Sequence, residues 1–336
     1  MRFVLAPLAG FTDAPFRRLC FEGGADLCFT EMVSAAGLAH GSSPTRHLFE
    51  TLPGEGPVAV QIFGSVESEV AFAAAAVTEA AADASRGRIV ELNLNAGCPV
   101  PKVVRSGAGA RLMDDPEKIR RLLRAMVENT HLPVTLKTRL GPHPRDTRIF
   151  EIVDAAEAAG AAGISVHARY ASQMHGGPVR LDVLSEVVAR SRVPVTGNGS
   201  VVDAASAAAM SATGVSAIMI GRAALARPDI FRILKEGRAL VPADDPCAVA
   251  ERHLDGVLEF REQLAQRFPH DRLPSPDGFA SVKMHTHLFR YFSGRPGASA
   301  MRARLGGIRT LAEVRECIGS LRCGGLGQKI GHCAPG

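Results

Sequence analysis

The chain has 336 residues, enough for one large domain and a smaller one, with 46% hydrophobic residues, 22% charged residues and a formal net charge of +5. This composition is ordinary for a soluble globular protein, and no apolar run is long enough to cross a bilayer, which excludes an integral membrane protein. Pro7 and Gly10 interrupt the first apolar stretch and the seven cysteines are irregularly spaced, so we expect no secretory signal and a reducing compartment, the cytoplasm.

Eight short apolar runs with β-forming residues alternate with alanine-rich segments along the first two thirds of the chain. Near-continuous apolar runs are typical of parallel strands that are covered on both faces, so we expect a parallel sheet. The predicted strands are residues 2–7, 25–31, 58–64, 89–95, 133–139, 163–169, 193–199 and 216–222.

The segments between these runs carry helix signals. In "DDPEKIRRLLRAMVENT", Asp115 is the expected N-cap and Pro116 the first helical residue, after which apolar residues recur at helical spacing. Eight β-α repeats predict an α/β protein built as a (β/α)8 TIM barrel over residues 1–240, a size typical of that fold. A doubly wound open sheet is the alternative, but no G-x-G-x-x-G follows the first strand.

A linker that contains prolines and acidic residues, "RALVPADDPCA", follows the predicted barrel, and amphipathic helical segments follow the linker. We expect a small helical domain over residues 243–325 and a loose tail over residues 326–336. From Glu251 onward, thirteen Lys and Arg residues stand against eight Asp and Glu residues, and no acidic residue lies between Phe279 and Leu311. Such a surplus is either a solvated face or a surface that binds a polyanion.

Polar residues or glycines lie at the predicted carboxyl end of every strand, which is where barrels of this kind hold their active sites. Buried strands do not need such residues for stability, so a functional site at this end is the economical interpretation. Residues at these ends include Ala9, Glu31, Gln61, Asn95, Lys137, His167, Asn198 and Arg222.

Two of these strand ends have specific interpretations. "GNGS" and "GR" follow the last two strands, where TIM barrels commonly bind phosphate through close backbone N–H groups, and Arg222 adds a positive fork. Lys137 lies within an apolar strand, where burying a charged amine is costly. It is either the nucleophile of a Schiff-base aldolase or a donor to an anionic cofactor ring, with Gln61 and His167 as further partners.

Taken together, the motifs resemble the tRNA-dihydrouridine synthase family. The order of N-x-G-C-P, K-x-R and H-x-R is specific, and the resemblance covers most of the chain. The short "CFTEMVS" stretch hints at the bacterial subgroup C type. The matching segments are "LAPLAGFTDAPFR", "FTEM", "VQIFG", "LNLNAGCP", "VTLKTRLG", "SVHAR", "GNG", "IMIGRAALARPDIF" and "KMHTHLFRYFSGRPGASAMRARL".

The resemblance implies a barrel that binds FMN, is reduced by NADPH and saturates the C5–C6 bond of a uridine in tRNA. We expect a monomer without a metal. FMN would contact Pro7, Leu8, Ala9, Gln61, Lys137 and His167, and its phosphate would bind Asn198, Gly199, Ser200, Gly221 and Arg222.

The same resemblance makes Asn95 the residue that faces the uracil and Cys98 the proton donor. Hydride would reach C6 of the uracil, and an acid would protonate C5 from the opposite face. An unperturbed thiol, with a pKa of about 8.5, is mostly protonated at neutral pH, so the working form is the neutral thiol. Expected tRNA contacts are Lys102, Arg105 and Arg169 in the barrel and Lys283, His287, Arg290, Arg295, Arg302 and Arg304 in the helical domain.

Three alternatives remain open. An FMN-dependent dehydrogenase of a free pyrimidine, of the dihydroorotate or dihydropyrimidine type, shares the predicted site but does not explain the basic helical segment. A flavin-free aldolase would use Lys137 as its nucleophile. An RNA-binding module without activity would leave the polar strand ends unexplained. The sequence does not identify the uridine that would be modified.

Overall fold

The computed structural model describes residues 1–83, 88–239, 245–293 and 298–322. The chain divides into two compact units. The first comprises Met1–Ala224 and the described residues 229–239, and the second comprises Leu225–Pro228 and the described residues from 245 onward.

The first unit is a closed parallel barrel, as the alternation of strands and helices predicts. Eight strands form the ring in the order β1, β2, β4, β5, β6, β7, β8, β9 and back to β1, and the two-residue strand β3 adds a further pairing to β4. The strands are β1 Arg2–Leu5, β2 Leu27–Phe29, β3 Val33–Ser34, β4 Val58–Phe63, β5 Ile89–Ala96, β6 Val134–Arg139, β7 Gly163–His167, β8 Val195–Asn198 and β9 Ala217–Ile220.

All eight predicted strands are present, and six of them end before their predicted last residues. Gly10, Gly199 and Ser200 lie in turns with positive φ, so the chain leaves the sheet at the polar segments that follow β1 and β8. The open-sheet alternative is therefore wrong, and the strand ends meet at one rim of a closed barrel.

Helices of the barrel unit follow the strands in alternation. The predicted cap of α6 is confirmed, since the side chain of Asp115 accepts a hydrogen bond from the backbone nitrogen of Lys118 and Pro116 is the first helical residue. Bounds are α1 Ala14–Glu22, α2 Ala35–Ala39, α3 Ser43–His47, α4 Glu67–Ala81, α5 Pro101–Arg105, α6 Pro116–Val127, α7 Ile149–Ala158, α8 Leu181–Arg190, α9 Ala204–Ser211, α10 Arg222–Ala226 and α11 Ile230–Lys235, with 3-10 helices at Gly109–Asp114 and Ala171–Gln173.

The second unit is helical. Its helices are α12 Pro246–Arg267, α13 Pro276–Tyr291, α14 Ala298–Leu305 and α15 Leu311–Arg322. Side chains such as Leu254, Phe260, Met284 and Leu288 are buried and form its apolar core. Arg295 and the predicted tail 326–336 lie outside the described residues. None of the helices in the described part of the chain is both long and apolar enough to span a bilayer.

The two faces of β5 position the site. Leu92, Leu94 and Ala96 are fully buried on one face, and Glu91, Asn93 and Asn95 lie on the other. The strand registers align Asn93 with Gln61 of β4 and Thr135 of β6, and align Asn95 with Lys137 of β6. The barrel interior therefore carries a polar sector at these three strands, next to an apolar sector of Val4, Leu27, Phe29, Ala59 and Met219.

Candidate active site at the carboxyl ends of the strands

Cys98 lies in the turn that follows β5. It is half-buried, whereas the other cysteines in the described part of the chain are fully buried. The Oδ1 atom of Asn95 accepts hydrogen bonds from the backbone nitrogens of Gly97 and Cys98, at 3.1 and 3.0 Å. The last inward side chain of the strand thus fixes the start of the turn in an Asx arrangement.

The carbonyl groups of this turn are also engaged. Arg139 Nε donates to the carbonyl oxygen of Gly97 at 2.9 Å, and the backbone nitrogen of Ala110 donates to that of Cys98 at 2.9 Å. All four backbone polar groups of Gly97 and Cys98 therefore have partners. The thiol is carried by an immobilised backbone, which is what a group that must reach one atom of a substrate requires.

Gly109 is needed for this packing. Its φ is +60°, and a Cβ atom at this position would lie 2.6 Å from the carbonyl oxygen of Cys98 and 2.7 Å from Cγ1 of Val103. Only glycine lets the 3-10 helix that follows approach the Cys98 turn this closely. Sequence analysis did not identify Gly109, because the contact depends on the tertiary fold.

A line of polar side chains leads from the Cys98 turn into the barrel. Asn95 Nδ2 donates to Gln61 Oε1 at 2.8 Å, and Gln61 Nε2 donates to Asn93 Oδ1 at 2.7 Å. Asn93 Nδ2 donates to Thr135 Oγ1 at 2.8 Å, and the Thr135 hydroxyl donates to Glu91 Oε1 at 2.5 Å. We call these five side chains the interior relay. Of the five, the sequence identified Gln61 and Asn95 as site residues.

Cations gather at the same rim. Burial and the nearby Arg139 guanidinium lower the pKa of Lys137 to about 7, and burial lowers the pKa of Arg139 to about 10 although Cys98 raises it. Burial and Arg222 also lower the pKa of Arg169. Within the described residues, Lys137, Arg139 and Arg169 form no ion pair with a carboxylate. The rim is therefore suited to bind an anion.

His167 lies among these cations at the end of β7. Burial, Lys137, Arg139 and Arg169 hold its pKa far below the ordinary value, so the ring is neutral. One ring nitrogen lies 3.2 Å from Arg169 Nη1. A neutral imidazole in this place can accept from or donate to a ligand without adding charge.

The "GNGS" segment after β8 forms a tight turn. Lys137 Nζ donates to Asn198 Oδ1 at 3.4 Å, and Asn198 Nδ2 donates to the carbonyl oxygen of Met219 at 2.8 Å. Gly199 has a φ of +130°, and a Cβ atom there would lie 2.8 Å from Val179 and 3.1 Å from His167. Ser200 also has positive φ, at 54°. The turn is thus compact and lies beside Lys137, an arrangement that suits a phosphate site.

The predicted contacts of β1 and β9 lie side by side at the rim. The backbone nitrogen of Ala6 donates to the carbonyl oxygen of Ile220, so Pro7, Leu8 and Ala9 follow a strand that is adjacent to Gly221 and Arg222. Leu8 and Gly221 are half-buried, and Ala9 and Arg222 are exposed. A Cβ atom on Gly221 would make only ordinary contacts at 3.7 Å, so space alone does not explain this glycine.

Arg139 and Arg169 both donate hydrogen bonds to backbone carbonyls of the loop after β7. Arg139 Nη1 donates to the carbonyl oxygens of Tyr170 and Met174, at 3.2 and 2.7 Å. Arg169 donates to the carbonyl oxygens of Gly176 and Gly177 and to Ser200 Oγ. Arg139 therefore joins the Cys98 turn to this loop. Its role was missed because a K-x-R motif does not identify which carbonyls the arginine reaches.

Three of the predicted tRNA contacts are buried or already paired within the protein. Arg169 is 4% exposed and its guanidinium is used by loop carbonyls and Ser200, so it does not present a free surface to tRNA. His287 is 1% exposed, and its ring packs edge-on against that of His253. Arg304 pairs with Glu316. Lys102 and Arg105 are exposed on α5, just after Cys98.

Two of the predicted basic residues of the helical unit share one aromatic ring. The guanidinium carbons of Arg290 and Arg302 each lie 5.6 Å from the centre of the Phe289 ring. Lys283 lies 6.0 Å from the centre of the Phe279 ring. These cation–π contacts restrain the positions of the three basic side chains.

The sequence pattern of the dihydrouridine synthase (Dus) family matches residues 4–315 of the chain. "tRNA-dihydrouridine synthase B" of Klebsiella pneumoniae is 37% identical over 258 residues, which cover 75% of this chain and 78% of that protein. "tRNA-dihydrouridine synthase B" of Yersinia pestis is 34% identical over 291 residues and 85% of each chain. "Probable tRNA-dihydrouridine synthase" of Mycobacterium tuberculosis is 32% identical over 329 residues, 94% of this chain and 80% of that protein. The subgroup C expectation finds no support in these names, because those with a letter carry B.

Proposed function

The chain belongs to the dihydrouridine synthase family, and we propose that it reduces the C5–C6 bond of a uridine in tRNA, with Cys98 as the proton donor. The observation that carries this proposal is the immobilised Cys98 turn beside Lys137 and Arg139 at the rim of the barrel. A half-buried thiol on a fixed backbone, next to cations that attract an anionic ligand, suits proton transfer to a bound pyrimidine.

FMN fits the residues at this rim. The turn at Gly199 leaves little room for a side chain, and Lys137 and Arg222 supply positive charge near it. Asn198, Gly199, Ser200, Gly221 and Arg222 would hold the phosphate, and Gln61, Lys137 and His167 would contact the ring system or ribityl chain. Pro7, Leu8 and Ala9 would contact FMN through their backbone. Bound FMN, reduced by NADPH, would supply the hydride for C6 of the uracil.

The protein's own part in the chemistry is to hold the substrate and deliver a proton. As C6 gains hydride, negative charge grows at C5 and on the C4 oxygen. The S–H group of Cys98 would give its proton to C5, and the thiolate left behind would be stabilised by Lys137 and Arg139, whose pKa values a charge on Cys98 raises. Asn95 would line the uracil site, with its Oδ1 held by the Cys98 turn and its Nδ2 donating to Gln61 and Met32.

A uridine inside folded tRNA must leave its stack to enter the barrel. Grip on the phosphates would come from Lys102 and Arg105 near the Cys98 turn and from Lys283, Arg290 and Arg302 in the helical unit. Arg304 remains in this proposed set although it pairs with Glu316, whereas Arg169 and His287 are left out because both are buried. The protein would bind tRNA in the cytoplasm.

The test is reduction of tRNA by the purified chain loaded with FMN. The protein, NADPH and unmodified tRNA transcripts are incubated, and dihydrouridine is measured by mass spectrometry of the digested RNA. The proposal predicts dihydrouridine at one position, with no reduction of free uracil or oxidation of free dihydroorotate. Turnover of a free pyrimidine without turnover of tRNA would favour the dehydrogenase alternative, and a colourless protein that binds no FMN would favour the Schiff-base alternative.

A further inference from the structure

The interior relay crosses three strands and ends at a carboxylate. Glu91, Asn93 and Asn95 come from the inner face of β5, Gln61 comes from β4, and Thr135 comes from β6. Four hydrogen bonds of 2.5 to 2.8 Å join the five side chains in one line from Asn95 to Glu91. No cofactor or substrate contact accounts for Glu91, Asn93 or Thr135 in the function proposed above.

The direction of the line is fixed at both of its ends. At one end, Asn95 Oδ1 faces the backbone N–H groups of Gly97 and Cys98, which can only donate. At the other end, the Thr135 hydroxyl already accepts from Asn93 Nδ2 and donates its single hydrogen to Glu91 Oε1. Between these ends, the NH2 group of each amide donates to the next side chain toward Glu91, and its oxygen accepts from the preceding group on the Cys98 side. All the hydrogen bonds of the line therefore run in the same direction.

This direction determines how Gln61 meets a ligand. Its Oε1 accepts from Asn95 and one hydrogen of its Nε2 goes to Asn93, so the second hydrogen of Nε2 is left for another acceptor. Reversal of the Gln61 amide would place two donors against each other at Asn95 and two acceptors against each other at Asn93. In a buried site this is costly. A fixed amide here would present an N–H group, not a carbonyl, to the FMN ring.

We propose that Glu91 is a positioning residue that acts through Thr135 and Asn93 to orient the amides of Gln61 and Asn95, and thereby the bound FMN and the Cys98 turn. This inference rests on the proposed function, both for the FMN site and for the catalytic consequence. Burial raises the pKa of Glu91, and the hydrogen bond from Thr135 and the nearby Arg2 oppose that rise. The Thr135 hydroxyl therefore favours the ionised form that the relay needs.

The test compares Thr135→Val, which removes the relay hydroxyl at nearly constant volume, with Thr135→Ser, which keeps a hydroxyl. Thr213→Val is the matched control, because the Thr213 hydroxyl is buried and bonded to a backbone carbonyl outside the relay, at 2.7 Å from Met210 O. FMN dissociation constants are measured on the full chain by absorbance titration, together with the thermal midpoint and the kcat and KM for tRNA.

Thr135→Val removes both half-buried hydrogen bonds of the relay hydroxyl, and we expect it to weaken FMN binding about tenfold and to lower kcat about tenfold with an unchanged KM for tRNA. Thr135→Ser should recover most of the FMN affinity and most of the kcat. Glu91→Gln should weaken FMN binding about threefold, because the amide of glutamine can accept the Thr135 hydrogen bond but can also donate, so it does not fix the direction of the relay. Thr213→Val should lower the thermal midpoint and leave FMN binding and kcat as in the wild type.

Two outcomes would overturn the inference. One is wild-type FMN affinity in folded Thr135→Val and Glu91→Gln, and the other is equal loss of FMN affinity in Thr213→Val, which would mean a general structural effect. If Thr135→Val does not fold, Glu91→Gln and Thr135→Ser decide by the same FMN titration. Failure of the proposed function is seen separately. In that case the variants change FMN affinity as predicted, but the wild-type protein forms no dihydrouridine in tRNA.

Discussion

Asn95 Oδ1 lies 3.0 Å from the backbone nitrogen of Cys98 and accepts its hydrogen bond, so the last inward side chain of β5 holds the residue that we propose as the acid. The same amide donates to Gln61 Oε1. One residue therefore links the proposed proton donor to a proposed cofactor contact.

Asn95→Ala should reduce turnover even where FMN and tRNA remain bound. The change leaves two half-buried backbone N–H groups of the Cys98 turn without their acceptor, at a cost below the about 1 to 3 kcal/mol of a fully buried donor. A loosened turn misplaces the thiol, and we expect kcat to fall by about tenfold to a hundredfold. Single-turnover reduction of tRNA by pre-reduced protein measures this. Wild-type turnover would mean that Asn95 does not position the acid.

Gly109→Ala should damage the Cys98 turn, and Gly54→Ala is the matched control. Both glycines have positive φ, at +60° and +81°, so both substitutions carry a left-handed backbone cost of about 1 to 2 kcal/mol. Only at Gly109 would the new Cβ meet the carbonyl oxygen of Cys98, since nothing lies within 4 Å at Gly54.

We therefore expect Gly109→Ala to lose about 1 to 3 kcal/mol more unfolding free energy than Gly54→Ala in urea titrations, and to lose turnover as well. Gly54→Ala should keep wild-type turnover. Equal destabilisation of the two variants, with turnover retained in both, would show that the tight contact at Gly109 does not matter for the turn.

Stability of the flavin-free protein should rise with pH because of Lys137. Its folded pKa is about 7, whereas an unfolded lysine titrates at about 10.4, so the unfolded chain binds more protons between these values. Unfolding free energy therefore increases as pH rises across this window. In urea titrations, the unfolding free energy of the wild type should be higher at pH 9 than at pH 7. The difference between the two pH values should be smaller in Lys137→Met. The same gain in both proteins would assign the effect to other groups.

tRNA binding should depend strongly on salt, through the basic residues of the helical unit. Each lost phosphate contact lowers the slope of log Kd against log salt concentration by about 1, so Arg290→Gln with Arg302→Gln should lower it by about 2. Arg124→Gln is the control, because Arg124 is an exposed arginine of the barrel unit that pairs with Glu128. An unchanged slope in the double variant would remove Arg290 and Arg302 from the tRNA surface.

Local pattern was sufficient to predict the barrel. Each strand is a short apolar run, and the cap at Asp115 depends only on residues adjacent in sequence, so both could be read without the fold. Cys98, Gln61, Lys137 and Asn198 could be predicted as neighbours because strand ends meet at one rim. The short strand β3 was missed, since two residues give no periodic signal.

The residue roles that could not be predicted depend on contacts between residues that are far apart in the sequence. Glu91 and Arg139 act through partners on other strands and loops, and nothing in their local sequence identifies those partners. His287 was predicted to meet tRNA because it lies in a basic segment, but helical phase turns it into the core, next to His253. Charge alone does not say which face of a helix is exposed.

Single-turnover reduction of tRNA by the FMN-loaded, pre-reduced Cys98→Ala protein decides whether the thiol of Cys98 protonates C5. If it does, the variant keeps wild-type affinity for FMN and tRNA, and dihydrouridine formation slows by at least about a hundredfold, within the range that general acids contribute. Dihydrouridine formation by Cys98→Ala at a rate near that of the wild type would contradict it.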